Sequence, residues 1–138
     1  MLGLLLTAHR FLAYGLFLGL VLLALVGLAL RLAGRAETPV GYRALQHWTE
    51  NLLLLQVVVG IVLLVGGRRV VGELAWLHFL YGSVFPFVAV VAGRIVALRR
   101  ETHGYVGMAW GAFFATGLVS RAMLTGLEST GRSLFDLL

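Results

Sequence analysis

The sequence predicts an all-α protein, a four-helix transmembrane bundle in an up-down-up-down arrangement, formed as a single domain by residues 1–138. Three features of the chain indicate this fold. Hydrophobic residues make up 60% of the sequence, and the mean hydropathy is +0.96. Four apolar stretches without Asp, Glu, Lys or Arg approach the roughly 17 to 25 residues that cross a bilayer. The connections between them are short, so consecutive helices must run antiparallel.

The spans follow one another along the whole chain. The first covers residues 11–30, and we expect it to stay in the mature protein because no basic run precedes its long apolar core. The second covers residues 51–67 and reaches full length when it is extended back toward Ala44. The third and fourth cover residues 74–93 and 102–120. Pro86 should bend the third near mid-bilayer, because proline removes a backbone hydrogen bond.

Residues 128–138, which follow Gly126 and include Gly131, alternate polar and apolar side chains. They fit a short C-terminal interfacial helix that follows the bundle. A partly ordered terminus fits the same pattern, so both interpretations stay open.

All eleven basic residues are arginine, and the net charge is +5. The arginines cluster at the span ends, where they anchor helices to lipid headgroups, so we expect a lipid bilayer and no nucleic acid as partner. The face of loops one and three carries more of them, which favours both termini outside in a prokaryotic-type inner membrane. The absence of cysteine excludes thiolate haem ligation, iron-sulfur clusters and covalent haem attachment.

Each of the four histidines, His9, His47, His78 and His103, lies at the beginning of a predicted span. In an antiparallel bundle, His9 and His78 share one leaflet while His47 and His103 share the other. Each pair lies on diagonally opposed helices, about 12 to 14 Å apart when neighbouring axes are 8 to 10 Å apart. This spacing favours two bis-histidine haem sites. One site with four histidines is excluded, because much of a membrane about 30 Å thick separates the pairs.

Small residues near the histidines leave room for a flat macrocycle. Gly82 follows His78 at i+4, and Gly107 and Gly111 follow His103 at i+4 and i+8. The same glycines are equally typical of helix–helix contacts without any cofactor.

Arginines at the membrane rim can pair with haem propionates. Arg10 and Arg121 would serve the His9 and His78 leaflet, and Arg43, Arg99 or Arg100 the other. Their simpler role is to anchor helix ends.

His47 shares its helical face with Arg43, Glu50 and Asn51. Polar side chains within a span need partners. The cluster fits a haem edge or a quinone-head site with Glu50 exchanging protons, or else an interfacial capping cluster.

His9-Arg10 before an apolar helix, Gln56 to Gly60 in the next, and His78 in the segment LHFLYG together resemble one four-helix half of a heme A synthase, over about residues 9–95. The resemblance implies that His9 and His78 ligate a haem near the outer face. The chain departs from that family in having one four-helix unit instead of two, no loop cysteines, and Leu6 where a catalytic glutamate is expected. The second pair is more similar to that of compact di-haem b-type membrane cytochromes.

These features predict a membrane cytochrome with one or two haem b groups that carries electrons, between a quinone and a partner redox protein or larger respiratory complex. A haem-free accessory or assembly subunit of a respiratory complex, and a haem-processing enzyme, remain as alternatives. A visible spectrum separates the first from the second.

Overall fold

The computed structural model describes residues 2–67 and 75–128, and all regular secondary structure in these ranges is helical. The helices are α1 (Leu2–Leu32), α2 (Val40–Val65), α3 (Ala75–Leu98) and α4 (Tyr105–Glu128). The predicted all-α class is therefore confirmed for this part of the chain. Of the described helices, α1, α2 and α3 are long and apolar enough to cross a membrane.

The helices are longer than the predicted spans, and their ends differ. Helix α1 begins at Leu2. Residues 2–6 are apolar apart from Gly3 and contain no helix-breaking signal, so the helix includes His9. Helix α2 extends back to Val40, past the predicted extension toward Ala44. Helix α4 begins only at Tyr105, which leaves His103 in the preceding loop and corrects its predicted place at a helix start.

Turn residues set the boundary between α1 and α2. Gly34 adopts a left-handed φ of 65°, and the Arg35 N–H donates to the carbonyl oxygen of Leu30 at 3.1 Å. This is the hydrogen-bond pattern that commonly ends helices at glycine. Pro39 in an extended conformation then precedes α2, where a missing N–H costs nothing.

Helix α3 is interrupted where the sequence predicts a bend. An α-helical turn at Ala75–Phe79 leads into a π-helical turn at Leu80–Val84, and the α-helix resumes at Phe85–Leu98. Pro86 lacks the N–H that a regular ladder needs at this point, and the π-turn accommodates the interruption. The π-turn begins two residues after His78.

The helices pack unequally. Helix α1 contacts both α2 and α4, and α3 contacts α4 along its length, whereas α2 and α3 approach each other mainly at the π-turn. Small residues allow the helices of these contacts to approach closely. Gly19 of α1 faces Thr49 of α2, and Gly27 of α1 faces Ala109 of α4. Helix α4 lies between α1 and α3, and its buried Met108, Ala112 and Ala115 complete the core.

Candidate functional site: histidines of α1 and α3

His9 faces α2 from the first third of α1. Its Nε2 atom lies 3.3 Å from the side-chain amide nitrogen of Gln56, which is itself 7% exposed. The Nδ1 atom of His9 and the Oε1 atom of Gln56 are buried and have no hydrogen-bond partner within residues 2–67 and 75–128. Buried polar atoms without partners cost free energy, so this arrangement favours a further ligand or an ordered water.

His78 lies in the opening turn of α3 and faces α4. Its Nδ1 atom is 2.9 Å from the carbonyl oxygen of Ala122. Because a carbonyl only accepts, the hydrogen bond requires the proton on Nδ1 and leaves the lone pair on Nε2. A ring nitrogen held this way by a backbone carbonyl is the usual outer-sphere arrangement of a metal-ligating histidine.

Each histidine ring lies against a glycine of the neighbouring helix. A Cβ atom at Gly60 would be 3.2 Å from Cε1 of His9, and one at Gly126 would be 3.2 Å from Cε1 of His78. Both distances are tight, so glycine provides the space that the rings occupy. The two sites are therefore built alike, on different helix pairs.

His9 and His78 lie at the same end of the bundle. His9 contacts the second half of α2 through Gln56 and Gly60, and His78 contacts the second half of α4 through Ala122 and Gly126. Helices α1 and α3 make little direct contact, since each packs on α4 instead. The two histidines thus come from non-adjacent helices, at the end of the bundle where Gln56 and Ala122 lie.

His47 has a different setting, on the exposed side of α2. Its Nδ1 atom is 3.5 Å from Glu50, and its side chain is 60% exposed. The Glu50 carboxylate accepts hydrogen bonds from Gln46 at 3.0 Å and from Arg94 of α3 at 2.8 and 2.9 Å. This polar group, Gln46, His47, Glu50 and Arg94, is called the polar corner below.

Gln46 and Arg94 are the members of the polar corner that the sequence analysis missed as site residues. Arg94 follows the predicted end of the third span at residue 93, where an arginine is expected to anchor a headgroup. The helix continues to Leu98, and the long side chain reaches across to α2 instead. The available signal was an acidic residue just before one predicted span and an arginine just after another, since charged side chains at membrane depth need partners.

His103 connects two loops. It has a positive φ of 58°, its N–H donates to the carbonyl oxygen of Ala36 at 2.8 Å, and its own carbonyl accepts from Val106 at 2.9 Å. The described contacts of His47 and of His103 are separate, so this part of the structure does not bring the second predicted pair together.

The predicted macrocycle glycines have packing roles. A Cβ atom at Gly107 would lie 2.7 Å from the carbonyl oxygen of Gly93, and one at Gly111 would lie 2.7 Å from that of Ala89. The α3 backbone fills the space beside both glycines, which is the cofactor-free interpretation of the pattern. Gly82 also brings α3 close to α4, with its Cβ position 3.4 Å from Ala122.

The predicted propionate partners, Arg10, Arg43 and Arg121, are all exposed. None has a hydrogen bond or ion pair from its side chain within the described ranges, which fits either a headgroup anchor or an incoming anion. No group of three or more metal-ligating side chains occurs in these ranges, and a bis-histidine site requires only two. The predicted tail helix at residues 128–138 lies, past its first residue, outside the described part of the chain.

No protein-family model, curated protein or solved structure matches the chain. The likeness to heme A synthase therefore stays a hypothesis that rests on His9, Arg10, Gln56, Gly60 and His78. Function has to be argued from the geometry of the site.

Proposed function

We propose that this protein is an integral membrane cytochrome, an up-down-up-down four-helix bundle that holds one b-type haem between His9 and His78 and carries electrons. The observation that supports the proposal best is the similar placement of these two histidines at one end of the bundle. They come from helices that barely touch, and each lies against a polar group and a glycine of a neighbouring helix. In helical bundles, two histidines on diagonally opposed helices commonly serve as the axial ligands of a haem iron.

The membrane part of the proposal is supported by the surface of the helices. Large apolar side chains are exposed along all of them, among them Leu25 on α1, Ile61 on α2, Val88 on α3 and Phe113 on α4. A water-soluble monomer rarely exposes so much contiguous apolar surface. Lipid would cover these side chains, and α4 would cross as the inner helix between α1 and α3.

The residues at the site fit a haem iron. His78 presents the Nε2 lone pair, with its ring orientation set by the Ala122 carbonyl. The Nε2 atom of His9 faces the Gln56 amide, so coordination at this nitrogen would replace a weak contact of 3.3 Å. Coordination at Nε2 would place the imidazole proton of His9 on Nδ1, where it needs an acceptor, and the Oε1 atom of Gln56 is a buried acceptor without a partner.

A haem with two histidine ligands exchanges single electrons and has no open position for oxygen. The chain's own residues set the conditions for this exchange. The Ala122 carbonyl keeps His78 in one tautomer, the apolar helices exclude water, and the Gln56 amide places a neutral dipole beside His9. We propose a quinone or a partner redox protein, within a respiratory complex or outside it, as the electron donor or acceptor.

The test is the visible spectrum of the protein purified in detergent and supplied with haem. We expect a sharp reduced b-type band and a pyridine haemochrome signal of one haem per chain. His9→Ala and His78→Ala should each remove the low-spin spectrum. His47→Ala and His103→Ala are matched controls from the same chain, and both should retain it.

Two results would contradict the proposal. A colourless protein that takes up no haem would favour the accessory or assembly subunit, for which the glycine packing of α3 on α4 is sufficient structure. A spectrum that disappears with His47→Ala or His103→Ala, and survives loss of His9, would move the haem to the opposite end of the helices.

A further inference from the structure

An apolar groove with a volume of about 360 Å³ runs along the outer side of the contact between α3 and α4. Its floor consists of small residues, and its walls consist of larger apolar side chains. The floor residues are Ala89, Gly93, Gly107 and Gly111, and the walls include Val96, Trp110 and Phe114. The rings of Trp110 and Phe114 stack on each other within this wall, with centroids 6.0 Å apart.

The groove exists because the two backbones approach so closely. A Cβ atom at Gly93 would lie 2.7 Å from the Gly107 carbonyl oxygen and 3.1 Å from the Gly111 Cα. No side chain of these residues fills the outer side of the contact, while the wall residues project beyond it. The result is a depression open toward the side where lipid would lie.

The length of the groove matches one leaflet. Its lining extends on α3 from Ala89 to Arg100, eleven residues further along. At a rise of 1.5 Å per residue this is about 16 Å, if Arg100 is counted with the helix that ends two residues before it. Half of a hydrocarbon core about 30 Å thick has the same depth.

One end of the groove carries a positive charge. Arg100 lines this end, is exposed, and has no hydrogen bond or ion pair from its guanidinium within residues 2–67 and 75–128. Arg99 and Glu101 flank it without lining the groove, so the local charge stays positive. This end belongs to the loop face that is richer in arginine, the face that the positive-inside rule assigns to the anionic cytoplasmic leaflet.

We propose that the α3–α4 groove binds an anionic phospholipid, with one acyl chain along the glycine floor and the phosphate at Arg100. Charge complementarity selects the headgroup, and the leaflet-deep apolar lining selects the chain. The inference rests on the membrane insertion proposed above and is independent of haem. The Trp110 and Phe114 rings add apolar aromatic surface against which the acyl chain would lie.

The test measures how strongly spin-labelled phosphatidylglycerol and phosphatidylcholine associate with the protein in phosphatidylcholine vesicles. We expect the wild-type protein to prefer phosphatidylglycerol by about fivefold, the preference that one basic residue at the interface provides. Arg100→Gln should abolish this preference. Arg99→Gln removes the same charge at the neighbouring position outside the groove, and this variant should retain most of the preference for phosphatidylglycerol.

A second pair of variants tests the acyl-chain part of the groove. Ala92 lines the groove and is exposed, so Ala92→Phe should fill it without a clash and release the motionally restricted lipid. Val91→Phe, also exposed, lies outside the groove and serves as the control. Equal effects of Arg99→Gln and Arg100→Gln, or no effect of Ala92→Phe, would overturn the proposal.

The remaining outcomes separate this inference from the proposed function. A protein that restricts neither spin-labelled lipid is not inserted, and the membrane part of the proposed function would then fail together with the lipid site. A protein that selects phosphatidylglycerol but shows no haem spectrum would keep the lipid site and lose the cytochrome.

Discussion

The two ends of the helices carry the same residue types and use them differently. At one end, His9 and His78 point into the interior, and each ring is held by a neighbouring helix and a glycine. At the other end, His47 lies on the outside beside Glu50, while His103 holds a loop through its backbone. Equal positions along the chain therefore do not make equal sites.

The difference comes from what faces each ring. His9 and His78 are flanked by glycines on the adjacent helix, which leave room for the imidazole rings. His47 is flanked by a carboxylate that already has charged and amide partners. We infer that the end of the bundle with His9 and His78 binds a ligand. We infer that the polar corner instead stabilises the contact between α2 and α3, whose backbones approach each other mainly at the π-turn.

The largest expected effect comes from replacing the two glycines that face the histidine rings, Gly60 and Gly126. Gly60→Leu and Gly126→Leu would each force a side chain into the space of a histidine ring, and we expect haem affinity to fall at least about tenfold. Leucine gains helix propensity over glycine, by roughly 1 kcal/mol, so the effect would not reflect helix propensity. Haem titration followed by absorbance measures the affinity.

Gly15→Leu and Gly117→Leu are the controls for this prediction. Nothing lies within 4 Å of a Cβ atom at either position. If the controls lost as much haem affinity as Gly60→Leu and Gly126→Leu, the glycines near the histidines would have no special role in haem binding.

The polar corner should respond in stability instead of haem binding. Arg94→Gln leaves the Glu50 carboxylate, only 21% exposed, without its cationic partner, and we expect a loss of about 1.5 to 3 kcal/mol. Glu50→Gln should cost less, because the Arg94 side chain is 41% exposed and can reach water or headgroups. Thermal unfolding followed by circular dichroism in detergent measures both.

Arg94→Lys keeps the charge and should recover part of the stability. The reduced haem band should be unchanged in all three variants. Loss of that band in Arg94→Gln would make the polar corner part of the cofactor site and remove the contrast between the two ends.

Hydropathy was sufficient to predict the helices and their order, but it did not predict where they begin and end. The apolar run from Leu2 gives no signal for a helix start, so α1 extends nine residues before its predicted span. His103 precedes an apolar stretch and was placed on its helix for that reason. Its left-handed backbone, stabilised by the hydrogen bond to Ala36, excludes it.

Pairing by leaflet was sufficient to place His9 and His78 at the same end of the helices, because it depends only on antiparallel order and position along each helix. The rotation of each helix about its axis was not predictable. The π-turn before Pro86 changes which way His78 points relative to the rest of α3. The same rotations determine that Gly107 and Gly111 face Gly93. They also determine that Arg94 reaches Glu50.

Gln56 gives a smaller and different effect at the histidine end. Gln56→Leu removes the amide beside His9 while keeping a similar volume, so we expect haem to stay bound. Less polar surroundings disfavour the more highly charged ferric state, and the reduction potential should rise by on the order of tens of millivolts. Redox titration of the haem band measures the shift, and complete loss of haem, as in His9→Ala, would instead make Gln56 essential for seating the ligand.

The smallest expected effect has a diagnostic sign. His103 adopts a φ of 58°, a conformation that costs a non-glycine residue roughly 1 to 2 kcal/mol. His103→Gly should relieve this strain, so that the melting temperature rises slightly, by the equivalent of about 0.5 to 1 kcal/mol, while haem stays bound. His103→Ala keeps the strain and serves as the matched control without a gain. If His103 were a ligand, both variants would lose haem, so a stabilised protein that keeps its spectrum supports the loop role and restricts the iron to His9 and His78.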